Sequence, residues 1–551
     1  MSQFTQLPVV VIGNGPVGQT TALLLAHWGV GSILVDGKAK RDPVGSKAIC
    51  QQRDVIDVWD TLDGAGRQLA AEGVTWTTAR TFYKDEELFA VDFRDAGDSP
   101  FPPWVNISQA RTERVLDAKI AAEPLIETRW GHLVVDAQQD DEGVTLVCET
   151  DGGTSTLRAS YVIAAAGARG DVLRNNFGVT FEGRTFGDQF LICDLRTRLP
   201  GWEKERRFYF DPAWNPGRQV LIHACPESTY RIDWQVEEGF DLEAEEADGR
   251  LDRRIRQVIG DRDYEIVWKS VYRFHSRMVD RFRVGRVLLA GDFAHLVSPF
   301  GARGLNSGVQ DAENAAWKIA AVLQGWGTDD LLESYHAERY AAGLENLAVT
   351  GATMEFLVPQ DDAERQRRIQ ILERAVDDPG ARAFVDSGRL AEPFWYVDSP
   401  LTTDDPRRVV RGRPARGATL APAPGVIVPD HPIRDPRTGS PTRLRQLARA
   451  GVTILTGDRH DPAALRQGLA RQGVPLTVAE FSELSPDLRE RLGAEPDEVW
   501  ILRPDGHLAA TLHDPDLTEV SAALLRVLGA TDAASPTGDG AYAHSRSRGT
   551  K

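Results

Sequence analysis

One stretch in the middle of the chain constrains the fold more than any other, because it combines an apolar run, an acidic residue, a glycine-rich loop and a helix. Residues 287–290 predict a short buried strand, and apolar residues spaced three and four apart predict a helix that begins near Ser307. Asp292, at the end of the strand, could take a sugar hydroxyl. The free N–H groups around Leu305 and Asn306 would face a group that becomes negatively charged. The stretch therefore predicts a binding site.

The N-terminal region carries a second binding pattern. Residues 7–12 predict a buried strand, and residues 19–28 predict an amphipathic helix. The turn between them holds three glycines at the spacing G-x-G-x-x-G, namely Gly13, Gly15 and Gly18. A second strand ends at Asp36, about 20 residues past the glycines, where an acid binds a ribose hydroxyl. The pattern predicts a Rossmann βαβ unit that binds a dinucleotide, although Asp36 taken alone could be a solvated turn residue.

The two patterns together resemble those of the class A FAD-dependent aromatic hydroxylases, the family with the para-hydroxybenzoate hydroxylase fold. The second flavin motif of that family reads approximately G-D-x-A-H-x-x-x-P-x-G-x-x-G-x-N, and residues 291–306 match every fixed letter. A reduced flavin also carries negative charge on its pyrimidine edge, which suits the N–H groups described above. The resemblance implies that FAD is bound by Gly13, Gly15, Gly18, Asp36, Lys47, Gln109, Arg169, Asp292, Pro299, Gly304, Leu305 and Asn306.

The resemblance also implies an activity. Enzymes of this family accept electrons from NAD(P)H into FAD, react the reduced flavin with O2 to a C4a-hydroperoxide, and transfer one oxygen atom to an electron-rich phenol ring. The implied function is an FAD-dependent aromatic monooxygenase whose partners are a small aromatic substrate, O2 and NAD(P)H. Within the family, residues 45–50, 268–274 and 299–308 are similar to the 3-(3-hydroxyphenyl)propionate hydroxylase-like enzymes. That subgroup fixes neither the substrate nor the choice between NADH and NADPH.

This chemistry requires a dry apolar cover over the reacting flavin and an acid–base group within roughly 3 Å of the ring hydroxyl. The candidates for the cover are Phe208, Phe210 and Phe300. The candidates for the catalytic acid–base group are Tyr209, His223 and Tyr272. Each of these three could equally be a hydrogen-bonded wall residue of a sheet.

Two departures from the family pattern bear on the use of nicotinamide. The middle motif of the family reads D-G-A-R-S, whereas residues 166–170 read A-G-A-R-G, with Ala166 in place of the Asp. Lys47 stands where the family usually has Arg, and it offers a point charge instead of a planar fork. Two alternatives therefore stay open. One is a flavoenzyme of the same fold with Baeyer–Villiger or oxidase-type chemistry and altered nicotinamide use, and the other is a flavin-binding protein without catalysis.

The predicted fold class is α/β. A Rossmann-type FAD-binding domain is expected to carry an inserted antiparallel-sheet substrate domain, and the R-P-D-G-H turn at 503–507 resembles a C-terminal thioredoxin-like domain. No cysteine follows Cys225, so thiol chemistry is excluded in this domain, and its expected role is packing and homodimer contact. Deletion of the chain from about residue 410 should therefore leave flavin chemistry intact. The predicted boundaries are 1–175 and 280–345 for the FAD-binding domain, 176–279 and 346–400 for the substrate domain, 401–530 for the thioredoxin-like domain and 531–551 for a disordered tail.

Composition narrows the partners and the location. The 64 basic and 81 acidic residues give a formal net charge of −17, which argues against nucleic acid or an anionic membrane as a partner. No apolar run approaches the roughly 20 residues of a transmembrane helix, and residues 1–7 lack the features of a signal peptide, which predicts a cytoplasmic enzyme. No metal site is expected, because four cysteines lie without ligand spacing at Cys50, Cys148, Cys193 and Cys225.

Overall fold

The structure is a computed structural model that describes residues 6–42, 45, 47–93, 98–412, 420–470 and 473–530. Its strands are β1 (Val9–Ile12), β2 (Ser32–Asp36), β3 (Cys50–Gln52), β4 (Val74–Thr75), β5 (Thr78–Tyr83), β6 (Glu86–Asp92), β7 (Trp104–Asn106), β8 (Ile126–Trp130), β9 (Leu133–Asp140), β10 (Gly143–Thr150), β11 (Gly153–Ala159), β12 (Val162–Ala164), β13 (Phe181–Arg196), β14 (Glu205–Phe210), β15 (Gln219–Cys225), β16 (Thr229–Val236), β17 (Glu265–Val279), β18 (Arg283–Val284), β19 (Val287–Leu289), β20 (His295–Leu296), β21 (Pro432–Arg434), β22 (Pro441–Arg443), β23 (Val452–Thr456), β24 (Leu476–Glu480), β25 (Glu498–Leu502) and β26 (Leu508–His513). Its α-helices are α1 (Pro16–His27), α2 (Arg53–Asp60), α3 (Ala65–Glu72), α4 (Gln109–Ala122), α5 (Asp171–Asn176), α6 (Leu242–Ala247), α7 (Arg250–Ile259), α8 (Gly304–Leu323), α9 (Asp330–Leu357), α10 (Asp362–Asp377), α11 (Leu444–Ala448), α12 (Pro462–Gly468), α13 (Phe481–Leu484), α14 (Leu488–Leu492) and α15 (Leu517–Val527). Short 3₁₀ turns lie at Gly291–Phe293 and Ala381–Phe384.

Six strands form the sheet that carries both flavin motifs, in the order β18-β19-β12-β1-β2-β8. Neighbouring strands pair in parallel, except that β18 runs antiparallel to β19. The central strands are apolar and fully buried, as expected where helices cover both faces of a parallel sheet. Helix α1 packs on this sheet and contacts α4 and α8. The predicted α/β fold with a Rossmann-type FAD-binding unit is confirmed.

A second, eight-stranded sheet has the order β20-β17-β13-β16-β15-β14-β5-β6 and is antiparallel except between β14 and β5. Alternation along its strands separates two faces. One face packs with α9 and α10 in an aromatic cluster, and the other packs with α7. Strands β5 and β6 lie before residue 175 and so inside the predicted FAD-binding domain. They nevertheless extend the substrate sheet, because β5 pairs with β14. Pairing between distant segments is not visible in local patterns.

The helical segment after residue 330 is divided into two helices. Helix α9 ends at Leu357 and α10 ends at Asp377, and each is followed within two residues by a proline, Pro359 or Pro379. Proline lacks the N–H that a continuing helix needs, which explains both ends. Residues 385–400 have no further helix.

The C-terminal part contains a four-stranded sheet in the order β24-β23-β25-β26, in which only β23 and β24 are parallel. One face of this sheet, with α12 and α15, shares a core with Trp317 of α8 and Leu331 of α9. Strand β25 ends at Leu502, and residues 503–507 form the turn that the sequence motif predicts. The thioredoxin-like assignment stays a prediction, and the predicted disordered tail lies outside the described residues.

Two further properties hold for the part of the chain that the structure describes. No helix there is both long enough and apolar enough to cross a membrane. No group of three or more His, Cys, Asp or Glu side chains there is arranged to hold a metal ion.

Candidate functional site

The three glycines of the first motif have different surroundings. Gly13 has a φ of +104°, and a Cβ there would lie 2.3 Å from the carbonyl oxygen of Ala165. A Cβ on Gly18 would lie 1.9 Å from the carbonyl oxygen of Gly13. A Cβ on Gly15 would meet no atom within 4 Å. The outer glycines therefore permit close backbone packing, while Gly15 leaves open space at the N-terminus of α1, where a pyrophosphate would bind.

Asp36 lies at the end of β2, beside this open space. One of its carboxylate oxygens accepts a hydrogen bond from the Asn14 N–H at 2.8 Å, and the other accepts one from the Lys38 N–H at 2.9 Å. These bonds fix the carboxylate but leave lone pairs on each oxygen. Asp36 can therefore still accept hydrogen bonds from ribose hydroxyls.

The second motif brings Asp292 and the N-terminus of α8 together. Asp292 is partly exposed within the 3₁₀ turn, and a Cβ on Gly304 would lie 3.9 Å from its Oδ1 atom. Helix α8 begins at Gly304 rather than near Ser307, because the Ser307 N–H makes the first helical hydrogen bond, to the carbonyl of Arg303. The N–H groups of Gly304, Leu305 and Asn306 thus precede that bond and can face a charged ligand group.

Burial raises the pKa of Asp292, and the charges of His295, Lys47 and Arg174 oppose that rise.

We expect Asp292→Ala to weaken FAD binding about tenfold to a hundredfold, because a charge-assisted contact of about 1.5–3 kcal/mol is lost. Fluorescence titration of the apoprotein with FAD measures the change. Asp261→Ala, at an exposed turn, is the control. An Asp292→Ala protein with wild-type FAD affinity would remove Asp292 from the site.

Asn306 uses its whole side chain within the protein. Its Nδ2 atom donates to the carbonyls of Cys50 at 3.0 Å and Ala302 at 2.6 Å, and its Oδ1 atom accepts from the Gln52 N–H at 3.0 Å. The side chain thereby joins the start of α8 to β3. A contact of Asn306 with the cofactor falls to its backbone N–H.

The remaining predicted cofactor residues surround these motifs. The Oε1 atom of Gln109 accepts from the Ala48 N–H at 3.2 Å, next to Lys47, whose Nζ atom lies 5.7 Å from the centre of the Tyr272 ring. Burial and Asp292 raise the pKa of Tyr272, while Arg169 opposes the rise. One electrostatic environment therefore includes Lys47, Arg169, Tyr272 and Asp292. Pro299, in the loop of the second flavin motif, is exposed. The direct roles of these residues stay predictions.

A buried ion network behind the second motif was not predicted. Asp311 of α8 accepts hydrogen bonds from the Gly291 N–H at 2.9 Å and from Arg339 of α9 at 2.6 Å, and it lies 2.7 Å from the Nε2 atom of His295. Burial opposes ionisation of Asp311, but Arg339 and His295 outweigh it and lower its pKa to about 2. The network fixes the flavin-motif turn from behind. The sequence signal was an acid within the apolar stripe of a helix.

The three predicted acid–base residues do not lie together. Tyr209 lies on the α7 side of the sheet, stacks on Phe82 with 4.5 Å between ring centres, and accepts a hydrogen bond from Arg207 at 3.0 Å. This placement is away from the flavin motif and speaks against Tyr209. His223 lies on the opposite face, buried, and Tyr272 lies beside the flavin motif. A catalytic role for His223 or Tyr272 stays a prediction.

The three predicted cover residues do lie together. Phe300, in the flavin-motif loop, has its ring centre 6.1 Å from that of Phe208, which in turn lies 4.8 Å from that of Phe210. Phe190 and Phe274 of the same sheet face lie 5.3 Å and 5.7 Å from Phe300. These five buried rings, the aromatic wall, form an apolar cluster that includes the loop of the second flavin motif through Phe300.

The chain matches known flavoproteins in all three comparisons. Residues 6–349 match the family model described as the FAD binding domain. The chain is 29% identical over 369 residues to para-nitrophenol 4-monooxygenase from Pseudomonas sp. (strain WBC-3), covering 65% of this chain and 89% of that protein. It is 25% identical over 554 residues to 3-(3-hydroxy-phenyl)propionate/3-hydroxycinnamic acid hydroxylase from Mycobacterium sp. (strain JLS), covering 95% of this chain and 92% of that protein.

Solved structures agree on the fold. The flavin-dependent monooxygenase PieE, solved with FAD and substrate, is 22% identical, has a TM-score of 0.80 and covers 95% of this chain and 99% of that chain. The p-nitrophenol 4-monooxygenase PnpA from Pseudomonas putida DLL-E4 is 26% identical and has a TM-score of 0.59. The match covers 70% of this chain and 99% of that chain. Because the family model spans more than half of the sequence, the chain belongs to the FAD binding domain family, with the fold of the class A aromatic FAD monooxygenases.

Proposed function

We propose that this protein is an FAD-dependent monooxygenase that hydroxylates a phenolic or related aromatic small molecule. The reaction consumes the ring compound, O2, NAD(P)H and a proton, and it yields the hydroxylated ring, water and NAD(P)⁺. Bound FAD carries the electrons from the nicotinamide to O2. The observation that carries the proposal is the packing of Phe300, from the flavin-motif loop, against Phe190, Phe208 and Phe274 of the substrate sheet. That contact joins a flavin site to a surface suited to a ring.

The residues of the chain supply binding, charge and exclusion of water. Asp36 and Asp292 hold sugar hydroxyls, and the open space at Gly15 admits the pyrophosphate. The first-turn N–H groups of α8 stabilise negative charge on a reduced flavin, because they carry the positive end of the helix dipole. The aromatic wall keeps water from the reacting atoms.

The second candidate function is oxidation or Baeyer–Villiger chemistry with altered nicotinamide use, and Ala166 favours it. A homodimer, a cytoplasmic location and the absence of nucleic acid partners are further parts of the proposal. The homodimer rests on the family resemblance, the cytoplasmic location on the four free cysteines, and the absence of nucleic acid partners on the net charge of −17.

The test is anaerobic stopped-flow reduction of the bound flavin by NADH and by NADPH, with and without phenol, resorcinol, 4-nitrophenol and 3-hydroxycinnamate. We expect at least one compound to speed flavin bleaching, and mass spectrometry after aeration should find that compound one oxygen atom heavier. Absence of any nicotinamide-driven bleaching, together with an oxidised but not hydroxylated product, would favour the second candidate. Sedimentation velocity measures the oligomeric state.

A further inference from the structure

A polar strip crosses the flavin-facing side of the eight-stranded sheet, beyond the aromatic wall. Arg206, His223, Arg231 and Asp194 lie directly opposite one another on β14, β15, β16 and β13. Asp233 is two residues past Arg231 on β16 and therefore shares its face. These five side chains form a continuous polar strip beside the apolar aromatic wall.

Two atoms of the strip have no hydrogen-bond partner within the described residues. They are the Oδ1 atom of Asp233 and the Nδ1 atom of His223, and both are buried. Arg231, in contrast, donates to both oxygens of Asp194 at 2.8 Å and 2.9 Å, and Arg206 donates to the carbonyl of Ser387 at 3.1 Å. A buried polar atom without a partner is unfavourable, so the two atoms are suited to a hydrogen bond with a ligand.

Asp233 and His223 lie on the same face of the sheet as the aromatic wall. Asp233 is flanked in register by Ile192 and Leu221, and both of these pack in the cluster that contains Phe300 and Tyr272. His223 and Asp233 are diagonal neighbours on adjacent strands, which places such residues about 7–8 Å apart. A single hydroxyl oxygen on a ring against the aromatic wall can reach both.

We propose that Asp233 is the catalytic base that accepts the proton of the ring hydroxyl, and that His223 makes a hydrogen bond to the same oxygen. The O–H bond of the phenol breaks, the proton moves to Oδ1 of Asp233, and the ring oxygen keeps the electron pair. That pair raises electron density at the ortho and para carbons, where the oxygen atom is added. This inference rests on the proposed function.

The charges around the pair suit this step. Burial raises the pKa of Asp233 to about 7, with Asp194 adding to the rise and Arg231 and Arg206 opposing it. Burial, Arg206 and Arg231 hold the pKa of His223 well below its usual range, so its ring is neutral. Burial also raises the pKa values of the neighbouring thiols of Cys50 and Cys225 to about 12, so they stay protonated.

The same charges select the substrate class. Arg231 is neutralised by Asp194, and an ionised Asp233 repels a second carboxylate. The strip therefore favours an uncharged phenolic hydroxyl over a carboxylate. A substrate that carries a carboxylate must direct that group elsewhere.

The first measurement uses 4-nitrophenol, whose visible spectrum distinguishes phenol from phenolate, bound to the oxidised holoenzyme. In the wild type, ionised Asp233 disfavours a second negative charge next to it. In Asp233→Asn the two arginines remain, so the ionisation midpoint of bound 4-nitrophenol should fall by at least one pH unit. An unchanged midpoint would overturn the proposal, whether or not this compound is hydroxylated. A shifted midpoint with no hydroxylated product from any phenol would instead contradict the proposed function.

The second measurement is the pH profile of kcat/KM for the best phenol. For the wild type we expect kcat/KM to rise with pH as Asp233 loses its proton. In Asp233→Asn we expect a fall of about 10²–10³-fold at pH values below the pKa of the bound phenol, and a limb that follows ionisation of the phenol itself instead of Asp233. His223→Gln should lower kcat/KM about tenfold. If Asp233→Asn binds less FAD, this second variant still tests the proposed hydrogen bond to the ring oxygen. Glu237→Gln, at an exposed carboxylate four residues along the chain, is the matched control. An Asp233→Asn enzyme within threefold of wild type, with the same profile, refutes the base role.

Discussion

Replacement of Arg503 by methionine is expected to destabilise the protein by about 3–5 kcal/mol, because it breaks a buried ion network and leaves carboxylates without their cation. Arg503 lies in the turn after β25, yet it donates to both oxygens of Glu338 in α9, at 2.5 Å and 3.0 Å. It also donates to Asp505 at 2.6 Å. Among the described residues, Lys318 at 2.6 Å from Glu338 and His507 beside Asp505 are the basic groups left in contact with these carboxylates.

The same substitution should weaken FAD binding, because the network continues to the flavin motif. Glu338 accepts from Asn314 at 2.7 Å, and Asn314 lies 3.3 Å from the hydroxyl of Tyr396. The Tyr396 hydroxyl accepts from Arg339, which binds Asp311 behind Gly291. The C-terminal part thus supports the flavin site. The expectation that its removal from about residue 410 leaves flavin chemistry intact stays a prediction, and these contacts lead us to expect that the truncation lowers FAD content.

Urea unfolding and FAD content check the Arg503→Met prediction. Arg526→Met, at an exposed position on α15, is the control and should change stability by a few tenths of a kcal/mol. A loss below about 1 kcal/mol with normal FAD content would show that the network is dispensable.

The network also gives a pH dependence with a definite sign. Burial opposes ionisation of Glu338, but Arg503 and Lys318 outweigh it and lower its pKa from 4.5 to about 2. A carboxyl with a lowered pKa in the folded state contributes stability that is complete above its unfolded pKa and is lost as the pH falls toward its folded pKa. The wild type should therefore lose stability between about pH 5 and pH 2. Arg503→Met should show a weaker loss over that window.

Local patterns predicted the Rossmann unit and the second flavin motif, because both depend on short spacings that the sequence displays directly. The ion network was not predictable, since Arg503 and Glu338 are 165 positions apart and pair only through tertiary packing. The addition of β5 and β6 to the substrate sheet was hidden for the same reason.

Strand alternation could have improved the prediction of the catalytic residues. Phe208 and Tyr209 are adjacent on one strand, so they point to opposite faces and cannot both line the flavin-facing surface. The sequence does not say which face that is, because the choice depends on packing against α7 or α9. Asp233 is the one acidic residue of strand β16, but the sequence does not show that its carboxylate is buried beside His223 and Arg231.

Ala166 and Gly170 are the two positions of the middle motif that differ from the family. We expect the family residue to be tolerated at position 166 and to destabilise the protein at position 170. Ala166 is half-buried next to Gly167, so Ala166→Asp can place its carboxylate near Arg169 with little disturbance. A Cβ at Gly170 would instead lie 2.3 Å and 2.5 Å from two ring carbons of Phe293. Phe293 is fully buried, and the guanidinium of Arg174 lies 4.8 Å from its ring centre.

Gly170→Ser should therefore cost about 1–3 kcal/mol of stability, as overpacking does, and reduce FAD content. Phe293 belongs to the same 3₁₀ turn as Asp292, so displacement of the ring is expected to disturb that turn. In a Phe293→Leu background, where the smaller side chain leaves room, Gly170→Ser should cost at least 1 kcal/mol less, because the two positions are in contact. Thermal unfolding of the four proteins of this cycle gives the coupling. Additive effects would show that Gly170 does not depend on Phe293, whereas the expected coupling explains why this chain has glycine where the family has serine.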